Sequence, residues 1–209
     1  MTPRNFISAP HVLPLSKQQN GEEDSEGVGG ERNNDDDPRT WCHVEDKPHS
    51  LLHKDNFLNV FEGFNETLEL IDNAVEKNGP FNGILAFSMG TCVVTIMQAL
   101  QILFPEMSEI SAFAEYQERF DFAILVCPLW RNKSVQYFFS EYLPKFKIRS
   151  LIVIGENDAV VRSEVSNDIV QLFDNPTVYK HSGGHFVPTS GPNKKEFLSI
   201  FEDFVFKCD

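Results

Sequence analysis

Gly83-Ile84-Leu85-Ala86-Phe87, Phe122-Ala123-Ile124-Leu125-Val126 and Leu151-Ile152-Val153-Ile154 are apolar runs too short for helices and apolar on both faces. A strand of that kind must be covered on both sides, which requires a mostly parallel sheet flanked by helices. Thr177-Val178-Tyr179-Lys180 is a weaker further strand. Between the runs the apolar period becomes helical. Val60, Phe64, Leu68, Ile71 and Val75 recur at steps of three and four, which predicts a helix over about 58–77 that Asn78-Gly79-Pro80 stops. Gly90 to Leu103 is long enough for a mostly buried helix. Ser163 is placed to cap a helix carrying Val165, Ile169 and Leu172, and Asn193 with Glu196 forms a capping-box pattern before Phe197, Ile200, Phe201 and Phe204. The alternation predicts an α/β fold with a single domain over residues 1–209.

The N-terminal quarter reads differently. Asn5-Phe6-Ile7-Ser8 is a candidate short strand ended by Ala9-Pro10. Residues 12–56 are then polar and without apolar period. Gly21 to Arg39 carries Glu22, Glu23, Asp24, Glu26, Glu31, Asp35, Asp36 and Asp37 against only Arg32 and Arg39. That composition predicts a long acidic, solvated loop.

Charge and cysteine usage exclude several classes of partner. With 18 Lys and Arg against 31 Asp and Glu, the formal charge is −13, which argues against a nucleic-acid partner because phosphate binding needs clustered cations. Cys42, Cys92, Cys127 and Cys208 are widely spaced and read as free thiols. Met1 to Lys17 lacks the apolar core of a secretory signal, so a cytoplasmic location, with the nucleus also open to it, is expected. Asn78 to Pro105 is free of formal charge for 28 residues, longer than a membrane span needs, but Gly79-Pro80, Asn82-Gly83 and Ser88 to Gly90 interrupt it. Thr91, Thr95, Gln98 and Gln101 also give its second half a polar stripe, so no membrane span is expected.

Ala86-Phe87-Ser88-Met89-Gly90 lies where an apolar strand meets the long helix, the position of a nucleophile elbow. Such a turn holds its serine in a strained conformation and asks for small residues two positions before and after it, here Ala86 and Gly90. The first N–H groups of the following helix are free to hold an oxyanion, and the Met89 N–H is the expected donor. The bland reading of this short string is a serine capping an ordinary βα turn.

A serine nucleophile needs a histidine to take its proton and an acid to orient that histidine, in the chain order Ser, acid, His. Asp158, in Glu156-Asn157-Asp158, directly follows a strand, and so does His185 in Gly183-Gly184-His185-Phe186. Parallel strands put both on the edge that carries Ser88. Glu156 is the rival acid, with Asp168 weaker because it falls within a helix, and His181 is the rival base.

Three blocks then taken together resemble a known family: Asn78-Gly79-Pro80-Phe81-Asn82-Gly83-Ile84-Leu85-Ala86-Phe87-Ser88-Met89-Gly90, Val153-Ile154-Gly155-Glu156-Asn157-Asp158, and His181-Ser182-Gly183-Gly184-His185-Phe186-Val187-Pro188. They are similar to the small serine hydrolases (the FSH family) that include the ovarian-cancer-associated esterase and its yeast relatives. The resemblance implies an α/β-hydrolase fold and cleavage of carboxylic esters or thioesters through an acyl-enzyme, with Ser88, Asp158 and His185 as nucleophile, acid and base. It implies a small-molecule ester substrate, in some members with a long alkyl chain, and neither metal nor organic cofactor.

The chain departs from the family's pattern in two places. The elbow has Ala86 and Met89 where the family has Gly and Gln. The family's first strand and helix, with a Leu-His-Gly-like loop that supplies the second oxyanion donor, would lie upstream of Phe6-Ile7-Ser8-Ala9-Pro10-His11 and have no counterpart here. Loss of one such donor costs about 10²- to 10³-fold in rate, so the alternative is a catalytically impaired relative acting as a binding or scaffold protein.

Other clusters carry weaker signals. Cys42, His43, His49 and His53 include a helix-type metal spacing, but Lys47-Pro48 and the polar loop oppose a preformed site and no metal is expected. Trp130, Tyr137, Phe138 and Phe139 follow the second apolar run and are candidates for an acyl pocket, with core packing as the ordinary alternative.

Overall fold

The structure, a computed structural model, describes residues 7–12, 39–44, 58–104, 120–130 and 132–206. Its centre is a four-stranded parallel sheet in the order β5-β6-β7-β8, formed by β5 (Gly83–Phe87), β6 (Phe122–Val126), β7 (Arg149–Gly155) and β8 (Thr177–His181). Registers such as Leu85 opposite Ile124 and Ile124 opposite Leu151 align the carboxyl ends of all four strands along one edge. The apolar runs thus form the strands they predict, and the weak Thr177 run is the fourth.

Among the described residues five helices follow the expected alternation: α1 (Phe64–Asn78), α2 (Gly90–Leu103), α3 (Lys133–Tyr142), α4 (Ser163–Val170) and α5 (Lys194–Phe206). One core cluster joins Phe64, Leu68, Ile71 and Val75 of α1 to α2, α3 and α4 over the face bearing Ala86, Leu125, Ile152 and Ile154. Fully burying a side chain of this size is worth about 1.5–3 kcal/mol, so these alternating residues fix the sheet's register. The opposite face, with Ile124, Val126, Leu151 and Val153, packs on Phe197 and Phe204 of α5. Helix α5 covers the middle of that face but not its margin. Leu85 and Phe87, on the edge strand β5, remain 49% and 38% exposed.

The structure differs from the sequence reading at element ends. Residues 7–10 are in no strand; β1 is His11–Val12, antiparallel to β2 (Arg39–Thr40). A second small pair joins β3 (His43–Val44) to β4 (Phe61–Glu62). The polar stretch 12–56 is therefore interrupted by structure at 39–44, and its remainder lies outside the described residues. The first helix begins at Phe64 because Gly63 takes a left-handed φ of 81°, which breaks the helical path after a short 3₁₀ turn at Leu58–Val60. Ser163 does not cap α4: Arg162 occupies that position, with no side-chain hydrogen bond. The Asn193 and Glu196 side chains instead accept hydrogen bonds from Ser182 Oγ and Tyr179 Oη. A side-chain cap forms at Asn132, whose Oδ1 accepts from the N–H groups of Ser134 and Val135 at the start of α3.

Cys42, Cys92 and Cys127 are buried free thiols, and Cys208 lies outside the described residues. Among the described residues no helix is long and apolar enough to cross a membrane.

Candidate active site

Four loops converge at the carboxyl edge of the sheet. Ser88 follows β5 and joins the ladder by donating its N–H to Val126 O at 2.9 Å. The chain must then reverse at once into α2, and Ser88 takes a φ of 50°, a left-handed conformation that side chains rarely adopt. Strain of this kind costs about 1–3 kcal/mol and persists where the surroundings enforce it. The enforcing contacts are visible: Ser88 O accepts from Thr91 N–H at 2.9 Å and Thr91 Oγ at 2.6 Å, while Thr91 Oγ accepts from Leu129 N–H at 3.3 Å. The elbow is thereby tied to the loop after β6.

Smallness at Gly90 is less demanding than the motif suggests. A Cβ there would make ordinary contacts, 3.5 Å from Trp41 Nε1 and 3.8 Å from the Ala86 Cβ. Met89 sits just before α2, where the first N–H groups of a helix have no acceptor within it.

His185 reaches the elbow from the loop after β8. Its Nε2 is 2.9 Å from Ser88 Oγ, and its Nδ1 is 2.8 Å from Asp158 Oδ2. The loop's approach depends on Gly155, because a Cβ there would lie 2.5 Å from Gly184 O and 2.9 Å from Gly183 O. Asn157 fastens the same loop, its N–H donating to Gly183 O and its side-chain amide to Ser182 O. Phe87 packs its ring 4.8 Å from the imidazole.

Asp158 is enclosed, with its side chain 1% exposed against 18% for His185. Its Oδ1 accepts from the N–H groups of Val160 and Val161, both at 2.8 Å. Burial alone pushes the carboxyl group up, but the hydrogen bonds from Val161, His185, Val160 and the Cys127 thiol prevail and hold it below the ordinary 3.8. Asp158 is therefore an ionised acceptor at neutral pH, suited to orient an imidazole.

The rival groups are directed elsewhere. His181 is 2% exposed; its Nδ1 accepts from Gly183 N–H, and its Nε2 is buried without a partner among the described residues. Burial lowers its pKa, against the opposing charges of Asp158 and Glu156. Glu156 is exposed and meets His181 through its own N–H, while Asp168 is exposed on α4. Neither carboxylate joins the Ser88–His185 pair.

Of the aromatic candidates, Trp130, Phe138 and Phe139 are buried in the core cluster, with the Trp130 and Phe139 rings 5.4 Å apart. Tyr137, on the outward side of α3, is exposed. The helical spacing explains the split, since Val135, Phe138 and Phe139 share the inward face. Cys42 is buried, and His43 lies in β3; His49 and His53 fall outside the described residues.

Cys127 was not singled out by the sequence reading. It follows β6 at the same edge, and its sulfur lies with donor atoms of Asp158 and His185 in a group whose members are all within 4.8 Å of one another. Sulfur, nitrogen and oxygen donors so grouped suit a zinc-like ion, but here the nitrogen and one oxygen are engaged with each other at 2.8 Å. The signal available in the sequence was positional, a thiol one residue past a strand that runs parallel to the one before Ser88.

Comparisons with known proteins identify the family. Residues 4–197 match the family described as serine hydrolase (FSH1). Esterase OVCA2 of Danio rerio is 31% identical over 203 residues, spanning 95% of this chain and 82% of that protein. Esterase OVCA2 of Xenopus tropicalis is 31% identical over 199 residues, with 95% and 78% covered, and that of Homo sapiens is 26% identical over 201 residues, with 95% and 82% covered. Among solved structures, a CIB-like hydrolase from Thermoplasma acidophilum aligns over 66% of this chain and 56% of its own, at 22% identity and a TM-score of 0.46. A parallel sheet flanked by helices, with the elbow serine at the carboxyl ends of its strands, is the α/β-hydrolase arrangement, and the chain belongs to the FSH1 serine hydrolase family.

Proposed function

We propose that this chain is a serine esterase that cleaves small carboxylic esters or thioesters through an acyl-enzyme. The observation that carries this reading is the continuous hydrogen-bonded line from Ser88 Oγ through His185 to Asp158, with links of 2.9 and 2.8 Å. In this reading His185 Nε2 takes the Ser88 proton as Oγ attacks the substrate carbonyl. The carbonyl electron pair moves onto oxygen, and the Met89 N–H steadies that oxyanion. As the tetrahedral adduct collapses, the imidazolium gives its proton to the departing alkoxide or thiolate. Water then repeats the sequence on the acyl-enzyme, releasing the acid and restoring Ser88. Asp158 stays ionised throughout, holding the Nδ1–H tautomer and stabilising the imidazolium. The open aromatic ring beside His185 is that of Phe87, which offers an apolar acyl or alkyl group a surface to lie on.

The test is covalent labelling by a fluorophosphonate probe, together with turnover of p-nitrophenyl esters of several chain lengths. Wild-type protein is expected to label and to hydrolyse, and Ser88→Ala to do neither. Equal labelling of the two proteins overturns the nucleophile assignment, while a folded wild type that neither labels nor hydrolyses favours a binding role for the fold.

A further inference from the structure

We propose that Cys127 is a positioning residue of this site, its thiol holding the Asp158 carboxylate and joining the acid loop to the loop that carries His185. The proposal rests on the roles given above to Ser88, His185 and Asp158. Cys127 is fully buried, with a φ of 50°, and its N–H donates to Val153 O at 2.8 Å, so the residue is fastened to β7 as well as to β6. A left-handed residue at the end of a strand turns its side chain off the regular pleat, and this one turns toward the acid. Its sulfur lies within 4.8 Å of the reactive atoms of both Asp158 and His185.

The carboxylate's other bonds show what the thiol adds. Oδ1 is held by two backbone N–H groups of its own loop, and Oδ2 takes the imidazole. Neither oxygen is otherwise tied to β6. The Cys127 S–H is placed to supply that tie, since the sulfur stands within 4.8 Å of donor atoms of both Asp158 and His185. One buried side chain thus stands beside both the acid and the base. Burial first, and then the neighbouring carboxylate, pushes the thiol up to about 12, so it remains protonated and able to donate. A hydroxyl could replace it as a donor; a methyl group could not.

The experiment compares wild type, Cys127→Ala, Cys127→Ser and Ser88→Ala in full-length protein. Two properties are read: kcat and KM on a p-nitrophenyl ester, and the titration of the Asp158 carboxyl carbon by ¹³C NMR. Cys127→Ala is expected to lower kcat by about 10- to 100-fold with KM changed less than about 2-fold, because misplacing a catalytic pair mainly costs the transition state. It should also raise the Asp158 midpoint, since a carboxylate that loses a donor is easier to protonate. Cys127→Ser should recover most of both. Wild-type kcat and an unmoved midpoint in Cys127→Ala overturn the proposal, as does a folded Cys127→Ser that keeps neither. If wild type shows no Ser88-dependent turnover, the esterase reading fails, and the Asp158 titration still decides the role of the thiol. If Cys127→Ala does not fold, Cys127→Ser alone decides: near-wild-type values support the donor role, and a loss in both readouts refutes it.

Discussion

His185 Nδ1 and Asp158 Oδ2 stand 2.8 Å apart, yet the two oxygens of that carboxylate serve different purposes. Oδ2 faces the imidazole, while Oδ1 closes its own loop on the N–H groups of Val160 and Val161. Orientation of the histidine and integrity of the loop are therefore separable by substitution.

Asp158→Asn tests that separation. The amide oxygen can still accept from Val160 and Val161, so the fold should persist, with unchanged far-ultraviolet circular dichroism. Its NH₂ turned toward His185 cannot accept the Nδ1 proton and selects the wrong tautomer. Ester turnover is expected to fall about 10⁴-fold, with KM little changed. Retention of more than about a tenth of kcat would remove Asp158 from the mechanism.

Two glycines near the site should behave oppositely. In Gly155→Ala the new methyl would meet the carbonyl oxygens of Gly184 and Gly183, both backbone atoms of the loop ending at His185, so the loop must move. Displacement of about 1 Å at a catalytic group costs on the order of 100-fold in rate, and the strain adds about 1–3 kcal/mol of instability. Gly90→Ala places its methyl in ordinary contact distance at a helix start, and turnover within about threefold of wild type is expected. A reversal of that ranking in parallel assays would show that the elbow, and not the histidine loop, is the tighter joint.

Helix α3 depends on one side chain for its start. Asn132 Oδ1 takes the N–H groups of Ser134 and Val135 at 2.9 and 3.1 Å, and the helix delivers Phe138 and Phe139 to the core. Asn132→Ala should cost about 1 kcal/mol, lowering Tm by about 2–4 °C with kcat preserved. An unchanged melting curve would show that the cap is not needed once the aromatic residues are packed.

What the sequence revealed and what it hid have a common physical origin. The four strands were legible because a strand apolar on both faces has few other solutions, and Ser88, Asp158 and His185 were legible because parallel strands deliver the residues after them to one edge. The start of α1 was not, since Val60 continues the apolar spacing and only the left-handed turn at Gly63 separates it from the helix. Trp130, Phe138 and Phe139 carry the same composition whether they line a cleft or fill a core, and only three-dimensional packing places them in the core. Cys127 was hidden for a different reason: a lone thiol after a strand looks like one more small apolar residue until its sulfur is found beside a carboxylate.

Asp72 supplies the clearest dependence of stability on pH. It lies on α1 with Oδ1 buried and without a hydrogen-bond partner among the described residues. Burial, and then the charges of Glu76 and Glu69, raise it from 3.8 to about 6. Glu69 and Glu76 stand one helical turn before and after it, so their repulsion acts along a single face. A raised carboxyl pKa means that the folded state holds the proton more tightly than the unfolded chain. Its favourable contribution is complete below about 3.8 and is lost as pH rises through about 6, so at neutral pH the ionised group opposes folding. Asp72→Asn keeps the shape and removes the charge. Allowing for solvent screening of a partly buried group, the gain at pH 7 is on the order of 1 kcal/mol. Thermal melts of both proteins from pH 4 to pH 8 should converge at the acid end, separate as pH rises toward about 6 and stay apart above it, with the variant the more stable. Parallel curves across that range, or a variant that melts first at pH 7, would mean that the Asp72 charge is already compensated in the folded protein.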